Sequence, residues 1–218
     1  MAPTDASAVT QVLPANASGL EAALGYLRGQ LPVVFPTDTV YGVGADLWQE
    51  QSVRALFRAK QRPLDMPIPV LVSSPEGVDR VASMLPPTFA RLVDSFWPGG
   101  LTLIVPRRAA VPDVLCAGGD TVAVRMPNHP TALEIIAAMG GALAATSANL
   151  SGHPAPRSAQ DAFAELANRV PLILDGGICP GGVASTIVDL ASSPPILLRA
   201  GPIPQATLQE LLPGLQAS

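Results

Sequence analysis

Leu31-Pro-Val-Val-Phe35-Pro-Thr-Asp-Thr-Val40-Tyr-Gly-Val-Gly44 is an apolar run that stops at a proline and gives way to hydroxyls, a carboxylate and two glycines. The run Leu31 to Phe35 is short, β-branched and aromatic, which predicts a buried strand ended by Pro36. A polar, glycine-bearing segment at the end of such a strand suits a ligand that must come close to the backbone. An ordinary strand-to-helix turn has the same composition, and both readings stay open at this point.

Working outward, Gly19 to Arg28 carries Leu20, Ala23, Leu24 and Leu27 at helical spacing, and Gln51 to Lys60 repeats the signal with Val53, Leu56 and Phe57 before Pro63 stops it. Further strands are predicted at 68–72, 101–105, 121–126, 142–146, 171–174, 185–190 and 196–199. Helices are expected near 85–96, 131–139, 158–168 and 204–212, and Ser158 and Asp161 form an S-x-x-D capping pair for the third of these. Strands alternating with helices indicate an α/β fold with one central sheet. Residues 1–14 are small, polar and unpatterned and are expected to be a flexible N-terminus, leaving 15–218 as a single domain.

Composition narrows the chemistry. Hydrophobic residues make up 48% of the 218 residues and the mean hydropathy is +0.35, yet the longest apolar-and-small stretch, Ile135 to Ala145, is too short to span a bilayer. The start, Met1-Ala-Pro-Thr-Asp5, has neither the basic residues nor the apolar run of a secretory signal, so a cytoplasmic protein with no membrane partner is expected. Cys116 and Cys179 lack CxxC spacing, and His129 and His153 are the only histidines. Disulfide, zinc and histidine-triad chemistry therefore have little to build from. The net charge of −4 gives no basic footprint for a nucleic-acid backbone. Of the 13 basic residues only Lys60 is a lysine, which marks a place where a compact ammonium rather than a flat guanidinium is wanted, unless chance put it there.

Neither a P-loop nor a G-x-G-x-x-G between strand and helix is present. Four segments hold polar groups where an apolar pattern breaks off. The first is residues 36–44. The second is Lys60-Gln-Arg-Pro63, whose two cations either complement a helix dipole or clamp a polyphosphate. In the third, Asp120-Thr-Val-Ala-Val-Arg-Met126, alternation puts Thr121, Ala123 and Arg125 on one face, so Arg125 sits at a sheet edge or lines a cleft and can pair with a substrate carboxylate. The fourth, Ala144-Ala-Thr-Ser-Ala-Asn-Leu-Ser-Gly152, leaves room for a base or ribose and offers Ser147 and Asn149 as hydrogen-bonding groups. Ser185-Thr-Ile-Val-Asp189 and Leu197-Leu-Arg199 repeat the theme of a polar group ending an apolar strand.

From Gly19 to Gly201 the chain resembles the YrdC/TsaC threonylcarbamoyl-AMP synthases. The resemblance rests on PTDTVYGVGAD at 36–46, KQRP at 60–63, FWPGGLTLIV at 96–105, DTVAVRMP at 120–127, TSANLSG at 146–152, and STIVDL with LLRAG between 185 and 201, all in this order. It implies a single twisted α/β domain with an open, positively lined cavity. It also implies that L-threonine, bicarbonate or CO2, and ATP are converted to threonylcarbamoyl-AMP and pyrophosphate, with the product passed to a tRNA threonylcarbamoyl transferase and direct tRNA binding weak or absent. By the resemblance, Thr39, Arg125, Ala145 and Ser185 are L-threonine contacts. Arg62, Thr121, Ser147, Asn149, Ala155 and Arg199 are ATP contacts, and Lys60 and Arg62 act on the phosphates as the catalytic pair. Mg2+ is expected to arrive with ATP, with no protein ligands of its own.

There are departures. Met66 and Leu71 stand where many archaeal and eukaryotic members have Asn and His, and the second, C-terminal domain of the longer members has no counterpart, so the chain is similar to the short type. No general base is evident; Asp38 and Asp189 are the candidates. A carbamoyl-AMP-forming domain of the hydrogenase-maturation type is the enzymatic rival. A non-catalytic nucleotide- or RNA-binding module is the other, and the negative charge and absence of interleaved aromatics weigh against its RNA version.

Overall fold

In a computed structural model that describes residues 9–217, eleven strands form one mixed sheet. They are β1 (Gln11–Pro14), β2 (Val33–Phe35), β3 (Gly42–Ala45), β4 (Val70–Val72), β5 (Leu101–Pro106), β6 (Thr121–Arg125), β7 (Ala142–Ser147), β8 (Leu172–Asp175), β9 (Thr186–Asp189), β10 (Ile196–Arg199) and β11 (Gln216–Ala217). Six helices accompany them: α1 (Ala17–Arg28), α2 (Glu50–Lys60), α3 (Pro87–Phe96), α4 (Pro130–Ala138), α5 (Ala159–Leu166) and α6 (Gln205–Leu211). The spatial order is β1-β8-β2-β3-β7-β4-β6-β5-β9-β10-β11.

The α/β class and the predicted elements are borne out, and the Ser158 capping box is present with both of its hydrogen bonds. One expectation changes and one open reading is closed. Residues 11–14 were expected to be flexible but form an edge strand that runs parallel to β8, Val12 opposite Ile173; residues 1–8 lie outside the described residues. The segment after β2 is not a strand-to-helix turn, because Gly42–Ala45 is a strand antiparallel to both β2 and β7. Glycine depresses strand propensity and hid β3 in the sequence. Here it permits a close approach: a Cβ on Gly44 would stand 2.8 Å from Leu143 Cδ2 and 2.9 Å from Phe35 Cε1.

Period-2 geometry then sorts the strands into two faces. On one face Val43, Val70, Leu103, Val105, Val122, Val124, Ala144 and Val188 are buried in a single cluster with residues of α2, α3, α5 and α6. On the other, α1 and α4 cover only one end, where Leu20, Ala23, Leu27, Ile135 and Ile136 pack on Phe35, Leu71, Leu143 and Leu172. The rest of that second face mixes small and polar side chains with Ile104 and Ile187, and it forms the floor of a cavity.

Candidate active site

The cavity measures about 460 Å3, within the usual range for small-molecule sites. Register explains its floor. Ile104 lies opposite Ala123 and Pro106 opposite Thr121, Thr102 lies beside Ile187, Leu71 beside Arg125, and Gly42 opposite Ser147. All of these except Pro106, together with Ala145 and Arg199, line it. The face shared by Thr121, Ala123 and Arg125 is thus the cavity side of β6, as the alternation predicted.

The loop between β2 and β3 supplies the next layer. Thr37 Oγ1 donates to the Val40 carbonyl at 2.7 Å and accepts from the Thr39 and Val40 amides, so one hydroxyl closes the turn. The Gly181 and Gly182 amides donate to the carbonyls of Asp38 and Thr39, holding the loop from the far side. Fixed in this way, Thr39 Oγ1 accepts from Arg125 Nη1 at 2.9 Å and Asp38 Oδ1 accepts from Arg125 Nη2 at 2.6 Å. Arg125 Nε donates to the Gly99 carbonyl at 2.8 Å, which gives the FWPGG turn its role.

Arg125 is buried, at 7% exposure, and burial pulls its guanidinium down while Asp38 opposes the shift. Three of its five N–H donors are thereby assigned, and two remain for a ligand. Asp38 is occupied in this ion pair and in accepting from the Asn128 amide, while both Asp189 oxygens accept within their own turn, from Ala191, Ser192 N and Ser192 Oγ. Neither carboxylate is placed as a general base.

Ser185 is buried, and its hydroxyl shares a 2.7 Å hydrogen bond with Thr102 Oγ1. Arg199 reaches across to donate to the Ser185 carbonyl and hydroxyl at 2.9 and 3.0 Å. Gly201 allows this packing of β9 and the chain after β10, since a Cβ there would lie 2.3 Å from the Thr186 amide nitrogen. Arg62 leaves the end of α2 and donates to the carbonyls of Met66 and Pro67, both at 2.9 Å, so its side chain stays at the rim. Among the described residues the lining includes three arginines, 62, 125 and 199, against one carboxylate, Asp65. Met66 and Leu71 make that part of the wall apolar.

Thr39, Arg62, Thr121, Arg125, Ala145, Ser147, Ser185 and Arg199 therefore meet in one cavity. Lys60, Asn149 and Ala155 are not brought into its lining. Lys60 is 1% exposed; its Nζ donates to the Ser147 carbonyl and, at 2.6 Å, to that of Asn149. Burial pushes its pKa down to about 7, helped by the nearby Arg62 charge. A neutral amine still has two N–H donors for these two carbonyls, so the staple survives deprotonation. Asn149 Nδ2 donates to the Leu150 and His153 carbonyls, so this amide too holds the loop.

Sequence reading missed Thr37, Thr102 and Tyr41. A lone hydroxyl within Leu101-Thr-Leu-Ile-Val105 was the available sign for Thr102. Tyr41 lines the cavity but directs its hydroxyl away, to the Gly177 carbonyl at 2.7 Å, and burial raises it to about 12. Cys116 also lines the cavity; burial raises its thiol to about 11, so it stays protonated and unreactive at neutral pH.

The profile of the Sua5/YciO/YrdC family, described as telomere recombination, matches residues 26–201. The chain belongs to this family. It is 42% identical over 190 residues to the threonylcarbamoyl-AMP synthase of Pyrococcus abyssi, an alignment covering 87% of this chain and 56% of that protein. A Mycobacterium tuberculosis relative is 40% identical over 194 residues, or 89% of each chain. The crystal structure of P. abyssi Sua5 complexed with L-threonine superposes with a TM-score of 0.92 at 38% identity, covering 96% of this chain and 63% of that one. The Sua5/YciO/YrdC chain described here thus spans somewhat more than half the length of its Pyrococcus relative and nearly all of the mycobacterial one.

Proposed function

We propose that this protein is an L-threonylcarbamoyladenylate synthase that forms threonylcarbamoyl-AMP, pyrophosphate and water from L-threonine, bicarbonate and ATP. The observation that carries the reading is the convergence of Arg62, Arg125 and Arg199 on one sheet-floored cavity. The three arginines come from the end of α2, from β6 and from β10. The P. abyssi Sua5 complex with L-threonine supports an amino acid as one of the two ligands.

In this reading the two unassigned Arg125 N–H groups and Thr39 hold the threonine carboxylate, with Ser185 and the Ala145 backbone completing that end. The amine takes up CO2 as a carbamate: an N–C bond forms and a proton leaves to solvent. A carbamate oxygen then attacks the α-phosphorus of ATP, and the bond from that phosphorus to the pyrophosphate oxygen breaks. Both partners are anions, so the rate depends on fixed cations and on exclusion of water. Arg62 and Arg199 supply the charge around the phosphates, and Thr121 and Ser147 position the nucleotide. No base is required of the protein, in keeping with the engaged state of Asp38 and Asp189.

Among the described residues there is no group of three or more His, Cys, Asp or Glu that could hold a metal. In this reading Mg2+ arrives with ATP as part of the substrate. In this reading the product goes to a tRNA threonylcarbamoyl transferase and the protein works in the cytoplasm. No helix among the described residues is long and apolar enough to cross a membrane.

Pyrophosphate release by the purified chain tests the reading. Release that needs both L-threonine and bicarbonate is the expected result. Release with carbamoyl phosphate alone would assign the site to carbamoyl-AMP formation instead, and ATP binding without turnover would reduce it to a nucleotide-binding module.

A further inference from the structure

The geometry points to Glu165, on α5 and outside the motifs quoted for the family, as the positioning residue for the nucleotide-side loop that follows β7. The inference rests on the reading that Ser147 serves ATP.

That loop leaves the sheet at Ser147 and has no regular structure through His153. Its polar backbone must find partners elsewhere, and two charged side chains provide them from opposite sides. On one side Lys60 Nζ takes the carbonyls of Ser147 and Asn149, and the Lys60 carbonyl accepts from the Ser151 amide at 2.9 Å. On the other side Glu165 Oε2 accepts from the Leu150 amide at 2.9 Å and stands 2.9 Å from His153 Nδ1. Asn149 closes the loop on itself through the Leu150 and His153 carbonyls. Lys60 and Glu165 therefore grip the same Asn149–Leu150 peptide group, one by its carbonyl and the other by its amide.

The two clamps are also coupled through space. The Glu165 carboxylate favours the charged form of Lys60, opposing burial and Arg62. Its own side chain is only 24% exposed, and α5 is anchored by the Ser158–Asp161 capping box and by Ala159, Ala162 and Leu166 in the core. A carboxylate on a short, capped, packed helix is a rigid reference point against which a loop can be set. Without it the Leu150 amide loses its acceptor, and Ser147 and Asn149 are free to leave the geometry that Lys60 alone cannot impose.

The test compares Glu165→Ala, Glu165→Gln and His153→Ala with the wild type by calorimetric titration of Mg-ATP and, separately, of L-threonine, alongside amide hydrogen exchange of residues 147–153. Glu165→Ala is expected to weaken ATP about tenfold with threonine within twofold, and to speed exchange in the loop. Gln keeps an acceptor for the Leu150 amide and a polar partner for His153, so it should recover ATP affinity to within about threefold; His153→Ala, which spares the Leu150 bond, should cost about twofold. Unchanged ATP affinity in Glu165→Ala, equal losses for both ligands, or no recovery with Gln would overturn the positioning role. Failure of the wild type to bind ATP would instead remove the nucleotide reading, and the exchange data would then report on the clamp alone. If Glu165→Ala does not fold, the Gln and His153 variants decide: loop exchange and ATP affinity both like wild type in His153→Ala, with loss of both ligands in Gln, would sink the proposal.

Discussion

The two faces of the central sheet come from the same strands and differ by a single residue step. Val122 and Val124 are sealed under helices, while Thr121, Ala123 and Arg125, their immediate neighbours in β6, line the cavity. One face spends its side chains on packing and the other on recognition, and a change of one residue in register would exchange them. The comparison makes the molecule testable, because truncations on the packed face should lower stability and spare ligand binding, and truncations on the cavity face should do the reverse.

The largest separation is expected from Leu103→Ala on the packed face. Removing this fully buried side chain should lower unfolding free energy by about 2–5 kcal/mol, read by urea denaturation, while the dissociation constants for ATP and threonine of the remaining folded protein hold. Arg62→Ala on the cavity rim is the counterpart: turnover should fall by about 10²-fold, with an unchanged urea midpoint. Near-normal turnover would remove Arg62 from the phosphates.

Arg125→Ala tests a residue that belongs to both descriptions. Its loss should raise the threonine KM by about tenfold with the ATP KM unchanged. It should also destabilise the fold, since Asp38, with 15% side-chain exposure, loses its partner. A drop in stability with an unchanged threonine KM would assign Arg125 to the framework alone.

The gentlest effect concerns Lys60, which lies beneath the cavity and not in it. Its folded-state pKa, about 7, is below the unfolded value near 10.4. Between these values the unfolded chain binds more protons, so Lys60 makes stability rise with pH, by at most about 1.4 kcal/mol per pH unit. Lys60→Met should lose that slope between pH 7 and 9 in urea titrations. An unchanged slope would show that the two carbonyls and Glu165 keep the ammonium charged.

Legibility in the sequence follows the same division. Strands β5, β6 and β9 and all six helices announce themselves by period, because burial on one side repeats every two or nearly four residues. β3 does not, since its glycines answer to Leu143 and Phe35 across the sheet; β1 does not, since its strand neighbour among the described residues, β8, comes roughly 160 residues later. Among the expected site residues, Thr39, Arg62, Thr121, Arg125, Ala145, Ser147, Ser185 and Arg199 line one cavity, and Lys60, Asn149 and Ala155 do not. Lys60 was taken for a phosphate ligand because a lone lysine beside an arginine looks the same in sequence whether its ammonium turns to a ligand or to two carbonyls 87 and 89 residues away.

By itself the sequence determined the α/β class, the order of most elements, and the small set of hydroxyls, amides and arginines available for chemistry, because these depend on local periodicity and residue type. The tertiary structure alone decided which of two alternating faces stays open, that Asp38 holds Arg125, and that Lys60 and Glu165 grip one loop. Those facts depend on pairings between distant segments, whose partners are fixed only when the strands take their register.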